Sequence, residues 1–133
     1  MKKTVLSLIV LFLAIVFYAQ EPSSNTDTIP KLVDLGATKC IPCKKMAPIL
    51  EELKTEYSGV FDVEFIDVWQ KENSKKAIKY NIESIPTQVF LDKDGKELAR
   101  HIGFISKEDI LSQWKSLGYN FEPKSTATVT NPN

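Results

Sequence analysis

The positions of apolar and polar residues change period several times along the chain, and each change marks a predicted element. Apolar runs of strand length alternate with stretches in which apolar residues recur at every third or fourth position, the spacing of one helix face. The predicted strands are Lys31 to Gly36, Val60 to Trp69, Thr87 to Leu91 and Lys96 to Gly103, and the predicted helices are Cys43 to Tyr57, Glu72 to Tyr80 and a last helix capped by Ser106 and ended by Gly118. The order of elements is therefore β-α-β-α-β-β-α.

The connections between these elements predict a small mixed sheet. The first two strands are joined through a helix, so we expect them to lie parallel with a right-handed crossover. The last two are joined by Asp92-Lys93-Asp94-Gly95, a hairpin turn with glycine at the position that needs a positive φ. The predicted fold class is α/β, with about four strands flanked by helices on both faces.

Each predicted helix has apolar residues that anchor it to the sheet. They are Met46, Ile49, Leu50 and Leu53 in the first helix, Ala77, Ile78 and Tyr80 in the second, and Ile110, Leu111, Trp114 and Leu117 in the last.

Residues 1–20 have the layout of a secretory signal. Met1-Lys2-Lys3 is a basic start, an almost unbroken apolar run follows from Val5 to Ala19, and the sequence then turns polar. The run is short for a membrane-spanning helix, which needs about 20 apolar residues, but Phe17 fits poorly to the small-residue pattern of a cleavage site. A cleaved signal and an uncleaved N-terminal anchor both stay open, and either predicts a location outside the cytoplasm.

The rest of the chain divides into three predicted segments. Residues 21–30 form a linker rich in Ser, Thr, Asn and Pro, residues 31–121 form the domain, and residues 122–133 form a disordered tail. The 133 residues suffice for one core. Because 17 Lys and Arg balance 17 Asp and Glu, the charge gives no argument for binding nucleic acid or an anionic membrane surface.

Cys40 and Cys43 are the only cysteines, and they lie three apart where a predicted strand gives way to a helix. Two thiols at this spacing can close and reopen a small disulfide ring, and the free N–H groups and positive dipole of a helix start favour the reactive thiolate. Zinc normally takes four ligands, and the chain adds only the distant His101. Haem attachment needs histidine where Lys44 stands. A structural disulfide stays open, but a redox-active pair is favoured.

Two separate stretches resemble the thioredoxin family. Val33-Asp34-Leu35-Gly36-Ala37, Cys40-Ile41-Pro42-Cys43-Lys44 and Met46-Ala47-Pro48-Ile49-Leu50-Glu51-Glu52-Leu53 resemble its active-site stretch, and Tyr80-Asn81-Ile82-Glu83-Ser84-Ile85-Pro86-Thr87 resembles its loop with a cis-proline facing the disulfide. The resemblance runs from about Lys31 to Leu117. It implies a thioredoxin-like fold for the predicted order of elements.

The resemblance also implies roles for four residues. Cys40 is expected to be the nucleophile that attacks a substrate disulfide, and Cys43 the thiol that resolves the mixed disulfide. Asp34 is expected to be the general base that accepts the proton of Cys43 through water, the alternative being a solvent-facing carboxylate at a strand edge. Pro86 is expected to follow a cis peptide bond, next to backbone that pairs with the substrate chain.

The neighbours of these residues are expected to contact the substrate. They are Lys39, Ile41 and Pro42 beside the cysteines, and Ile85 and Thr87 beside the proline. Three positions depart from the family pattern: Lys39 and Gly36 replace common aromatic residues, and Ile41 replaces a usual glycine. We therefore expect a smaller and more basic apolar surface around the disulfide.

The function predicted from the sequence is an extracytoplasmic thiol–disulfide oxidoreductase, more specifically a reductase of protein disulfides. It is expected to need no cofactor and no metal besides its own redox-active disulfide, and to act as a monomer. Its expected partners are oxidised cysteine-containing proteins outside the cytoplasm and, by analogy, a membrane thiol transporter that donates electrons. The alternatives are a disulfide oxidase or isomerase on the same fold, and a non-enzymatic binding module with a structural cysteine pair.

Overall fold

A computed structural model of the protein describes residues 28–124. Its strands are β1 (Lys31–Gly36), β2 (Asp62–Asp67), β3 (Thr87–Leu91) and β4 (Glu97–Ile102), and its helices are α1 (Ile41–Glu56), a 3₁₀ turn (Lys71–Asn73), α2 (Ser74–Lys79) and α3 (Lys107–Ser116). The predicted signal or anchor and most of the predicted linker and tail lie outside the described residues. Within the described part, no helix is long and apolar enough to cross a membrane.

The strands form one mixed sheet in the order β2-β1-β3-β4. β1 pairs parallel with β2 and antiparallel with β3, and β3 pairs antiparallel with β4. The turn between β3 and β4 contains Gly95 at a φ of 79°. The predicted α/β class, order of elements and hairpin are confirmed.

The two faces of the sheet carry separate buried clusters. Under α1 and α3 lies the larger one, which consists of Leu32, Met46, Leu50, Leu53, Tyr57, Phe61, Val63, Phe90, Ile105, Ile110 and Trp114. On the opposite face lie Val33, Leu35, Ile66, Val89 and Leu91. Alternate residues of β1 therefore face opposite layers, as strand geometry requires.

The aromatic end of the larger cluster includes residues beyond the last helix. The ring of Phe121 stacks on Phe61 with centroids 5.0 Å apart and meets Trp114 edge-on at 5.4 Å. Lys124, which lies in the predicted tail, donates its backbone N–H to the carbonyl of Glu56 at 2.7 Å.

The strands β2 and β4 are shorter than predicted, at Asp62–Asp67 and Glu97–Ile102. Two predicted helices also differ from the structure. The first helix begins at Ile41 rather than Cys43, because Cys40 already serves as its N-cap. The second predicted helix is broken into the 3₁₀ turn and the short α2, which buries none of its residues. The prediction that Ile78 anchors this helix is wrong, since its side chain is 78% exposed.

Candidate active site

Three strand ends meet at one end of the sheet, beside the cysteine pair. Gly36 at the end of β1 pairs with Asp67 at the end of β2. Leu35 is opposite Thr87 at the start of β3, so Pro86 lies next to Gly36 by continuation of the register. These ends place the β1–α1 loop and the loop before β3 side by side.

Cys40 and Cys43 form a disulfide across the first turn of α1. Cys40 is the N-cap, and its Sγ accepts the backbone N–H of Cys43 at 3.4 Å. The Cys40 carbonyl accepts the N–H of Lys44 at 3.0 Å, which is the first helical hydrogen bond. A sulfur at an N-cap lies among free N–H groups and at the positive end of the helix dipole, and both stabilise a thiolate there.

The first turn of α1 is built for this charge. Pro42 occupies one of the first two helical positions, where a missing N–H leaves no hydrogen bond unmade. The turn contains no acidic residue, and exposed Lys39, Lys44 and Lys45 surround it. Cys40 is partly exposed and Cys43 is buried, which fits an attacking and a resolving thiol respectively.

Cys43 rests against Gly36, where a side chain would be crowded. A Cβ at Gly36 would lie 3.2 Å from both Cβ and Sγ of Cys43 and 3.1 Å from Cε2 of Phe65. The glycine therefore allows helix α1 to approach the sheet at the resolving cysteine. Sequence reasoning assigned no site role to Phe65, whose ring is 43% exposed.

Phe65 and Cys43 also line a small apolar cavity beside α1. The cavity has a volume of about 220 Å³. Its wall consists of Ala37, Thr38, Cys43, Lys44, Ala47, Leu50, Glu51 and Phe65. The sulfur of Cys43 is thus bordered by this cavity on one side and by Cys40 on the other.

Asp34 is fully buried on the same face of β1 as Gly36, two residues further into the sheet. The alternative of a solvent-facing carboxylate at a strand edge is wrong, because β1 is an inner strand. Gln88 Nε2 donates a hydrogen bond to Asp34 Oδ1 at 2.6 Å. Burial raises the pKa of Asp34 from its ordinary value of 3.8 to about 6, and the hydrogen bond from Gln88 opposes that rise. Two strand residues span about 7 Å, so Asp34 lies about that far along β1 from Gly36, the residue against which Cys43 packs.

Asp67 holds the loop that leads to Cys40. Its Oδ2 accepts the backbone N–H of Thr38 at 3.2 Å and the Thr38 hydroxyl at 2.9 Å, and its Oδ1 accepts the N–H of Trp69 at 3.0 Å. Burial acts to raise the pKa of Asp67, but these hydrogen bonds prevail and hold it below its ordinary value. Sequence reasoning missed this role, since Thr38 and Asp67 are brought together only by the pairing of β1 with β2.

The predicted cis peptide bond is present between Ile85 and Pro86. Pro86 is buried, and its carbonyl accepts the N–H of Gly103 at 2.8 Å. Thr87 was predicted to contact the substrate, but its side chain is buried and its hydroxyl donates to the Ser84 carbonyl at 2.7 Å. The Thr87 side chain therefore holds the loop before Pro86 and is closed to a substrate, whereas half-buried Ile85 is accessible.

The surface beside the disulfide is basic, as expected, but it is not poor in apolar groups. Ile41 is 73% exposed, and Trp69, two residues after Asp67, is 62% exposed. Lys39 and Pro42, on either side of Cys40 and Ile41 in the chain, are also exposed. An apolar surface smaller than that of the family stays a prediction. Across residues 28–124, no group of three or more His, Cys, Asp or Glu residues is placed to hold a metal ion.

Comparison with known proteins gives a consistent assignment. The family model of thioredoxin matches residues 18–116. The thioredoxin of Staphylococcus epidermidis is 46% identical over 87 residues, which are 65% of this chain and 81% of that protein. The thioredoxin of Staphylococcus aureus is 42% identical over the same shares of the two chains.

Solved structures agree with the fold. A thioredoxin-like protein from Clostridium perfringens, determined in solution, superposes with a TM-score of 0.60 at 31% identity, covering 68% of this chain and 72% of that one. A malarial protein superposes with a TM-score of 0.59 at 23% identity, covering 66% of this chain and 96% of that one, and supports the fold alone. The family match, these relatives and the disulfide at the start of α1 lead to one conclusion: the chain belongs to the thioredoxin family and is a thiol–disulfide oxidoreductase that acts through Cys40 and Cys43.

Proposed function

We propose that the protein reduces protein disulfides outside the cytoplasm, with Asp34 as the general base for Cys43. One observation carries the resolving step of the reaction. A fully buried carboxylate lies on the sheet face beneath the resolving cysteine, and its pKa is raised to about 6. A reductase must deprotonate the resolving thiol during each turnover, and a carboxylate in this place supplies the acceptor.

The reaction begins at Cys40. In the dithiol form, the Cys40 thiolate is stabilised by the Cys43 N–H and the start of α1. It attacks one sulfur of the substrate disulfide, so that a bond from Cys40 Sγ to that sulfur forms while the substrate S–S bond breaks. The departing substrate thiolate takes a proton from solvent.

The second step releases the substrate. Cys43 gives its proton through water to Asp34, and the resulting Cys43 thiolate attacks Cys40 Sγ. The bond between Cys40 and the substrate breaks, and the second substrate thiolate leaves and is protonated. The substrate has gained two electrons and two protons, and the protein has become the disulfide form described above.

Substrate recognition is assigned to the groups exposed around the pair. Ile41, Pro42 and Lys39 lie at the start of α1, and Ile85 precedes the cis bond at the neighbouring strand end. We propose that Ile85 offers its backbone to an extended segment of the substrate, while Lys39 and Ile41 select the flanking side chains. Peptide backbone placed next to a strand end is a common mode of recognition.

The proposed location rests on residues 1–20, with their basic start and apolar run. The proposed substrates are therefore proteins with oxidised cysteines outside the cytoplasm. Electrons would come from a membrane thiol transporter of the kind that serves cytochrome c maturation, a partner assigned by analogy. We propose that the protein acts as a monomer. Fractionation of cells that express the full chain tests the location, and recovery in the cytoplasmic fraction would refute it.

Insulin reduction with dithiothreitol as the electron source tests the activity. We expect turnover by the wild type, none by Cys40→Ser, and accumulation of a mixed disulfide with insulin by Cys43→Ser. Cys43→Ser is the matched control, because it removes one thiol but keeps the attacking one. Absence of turnover by the wild type would refute the reductase.

A disulfide oxidase is the second candidate, and the lysines around Cys40 favour it. A strongly stabilised thiolate makes the dithiol form more stable and the disulfide a stronger oxidant. The reduction potential of the pair separates the candidates, when measured by equilibration with glutathione. About −270 mV supports the reductase, and about −120 mV supports the oxidase.

A further inference from the structure

A row of polar residues crosses the sheet beneath α1. The antiparallel register places Gln88 of β3 directly opposite Asp34 of β1 and opposite His101 of β4. Asp34 and Gln88 are both fully buried, although the rest of β3 is apolar apart from Thr87 at its start. A buried amide is costly unless it is hydrogen-bonded, so this position calls for a specific partner.

The partner of Gln88 is the Asp34 carboxylate. Gln88 Nε2 donates to Asp34 Oδ1 at 2.6 Å, a short hydrogen bond between residues 54 positions apart in the chain. Hydrogen bonds to an ionised group are shorter and stronger than those between neutral groups. The contact fixes the orientation of the carboxylate and favours its ionised form.

The two remaining side-chain oxygens of Asp34 and Gln88 can form a hydrogen bond with each other only when Asp34 is protonated. Asp34 Oδ2 and Gln88 Oε1 are both buried, and neither has a hydrogen-bond partner among the described residues. Two acceptors cannot bond to each other. A proton on Asp34 Oδ2 turns that atom into a donor, and the Gln88 amide then offers an acceptor in addition to its N–H.

We propose that Gln88 is a positioning residue for the proton transfer from Cys43, which holds Asp34 in place and serves its ionised state through Nε2 and its protonated state through Oε1. The proposal rests on the proposed role of Asp34 as the base. Gln88, which lies outside the loops of the cysteines and the proline, would thereby influence the pH below which the attack of Cys43 on the mixed disulfide slows.

Few other titratable groups face Asp34. β2 places Phe65 opposite it, β4 places His101 beyond Gln88, and His101 Nε2 lies 3.2 Å from the Phe104 carbonyl oxygen. The buried residues of α1 are Cys43, Met46, Leu50 and Leu53, and those of α3 are Ile110 and Trp114. Within residues 28–124, Cys43 of α1 and His101 of β4 are therefore the titratable groups that these packed elements place on the side of Asp34.

The test compares the wild type with Gln88→Met, which has a similar length and no hydrogen-bonding amide. The carboxyl carbon of Asp34 is titrated by NMR in the reduced protein, and the release of substrate from the mixed disulfide is followed from pH 5 to 8. We expect the pKa of Asp34 to rise by about one unit. The acidic limb of the release rate should move upward by the same amount, which lowers the rate on that limb up to about tenfold.

Val89→Ala is the matched control. It truncates a buried residue on the same strand whose side chain belongs to the opposite face. It should lower the midpoint of thermal unfolding without moving the pKa of Asp34 or the acidic limb. An equal shift in this control would overturn the proposal, because destabilisation alone would then explain the effect of Gln88→Met.

Two Asp34→Asn arms separate this proposal from the proposed function. If Asp34→Asn keeps the acidic limb, Asp34 is not the base and the proposed mechanism fails. If Asp34→Asn removes the limb but Gln88→Met leaves both the limb and the pKa of Asp34 unchanged, the role of Gln88 alone fails. In the double variant we expect no effect of Gln88→Met on the release rate.

A measurement on the wild type keeps the proposal testable if Gln88→Met does not fold. The side-chain amide ¹H and ¹⁵N shifts of Gln88 should move with pH at the midpoint of the Asp34 carboxyl. Shifts that stay constant through that midpoint would overturn the proposal.

Discussion

Replacing Asp34 by asparagine should stabilise the protein at neutral pH. The Asp34 carboxylate is fully buried, and burial raises its pKa from 3.8 to about 6. Asparagine has the shape of the protonated acid, carries no charge, and has both an acceptor for Gln88 Nε2 and a donor for Gln88 Oε1. The substitution therefore removes the cost of a buried charge and keeps the hydrogen bond observed at Asp34 Oδ1.

The size of the gain follows from the two pKa values. The difference between 3.8 and about 6 corresponds to about 3 kcal/mol at about 1.36 kcal/mol per pKa unit. Between these values, the unfolded chain has lost the Asp34 proton while the folded protein still binds it. The free energy of unfolding of the wild type therefore falls as the pH rises through this window. Asp34→Asn has no ionisable group at this position, so its free energy of unfolding does not fall in this window. It should exceed that of the wild type by about 3 kcal/mol at pH 7 and by less than about 1 kcal/mol near pH 4.

Urea unfolding of both oxidised proteins between pH 4 and pH 8 measures this difference. Asp94→Asn, in the exposed turn between β3 and β4, is the matched control and should unfold like the wild type at every pH. An Asp34→Asn variant that is no more stable than the wild type at pH 7 would refute the reasoning. A gain that stays constant down to pH 4 would also refute it, because it would not arise from ionisation.

Two further predictions concern the loop and the glycine beside the cysteines. Asp67→Asn should lower the midpoint of thermal unfolding at pH 7 and slow insulin reduction, because the group that holds Thr38 loses its charge. The difference in midpoint between variant and wild type should shrink as the pH falls below the ordinary pKa of 3.8 and through the lower pKa of folded Asp67. An equal difference in midpoint at pH 7 and pH 3 would contradict this. Gly36→Ala brings a Cβ to 3.2 Å from Cys43 Sγ and 3.1 Å from Phe65 Cε2. The partly exposed Phe65 side chain can move away, but the buried Cys43 side chain has less freedom to move. We therefore expect the free energy of unfolding in urea to fall by about 1–3 kcal/mol. Unchanged stability of the oxidised Gly36→Ala protein would show that the close approach of α1 to β1 is not tight.

The elements that the sequence predicted well are those whose signals are local. The bounds of β1 and β3 agree with the prediction residue for residue, because each is a short apolar run between polar or turn-forming residues. Ser106 caps α3 by accepting the N–H of Asp109, an interaction between residues three apart. The second helix was predicted less well because its local pattern is weak, and in the structure its Ile78 lies in solvent.

The cysteine pair was also determined by the sequence alone. Its spacing, its place between a strand and a helix and the proline at the helix start are all written within a few residues. The chemistry of Cys40 follows from the helix that it caps, whose first turn the sequence specifies. Asp34 was a candidate because it lies in the stretch that resembles the thioredoxin active site.

Only the tertiary structure decided what surrounds that pair. Gln88 meets Asp34, and Asp67 meets Thr38, through strand register between segments that are far apart in the chain. A shift of the register by one residue would turn every one of these side chains to the opposite face, and no local pattern around Gln88 or Asp67 specifies that register. The reactive thiols are thus a property of a short sequence, whereas the buried groups that control their protons arise from the packing of the whole sheet.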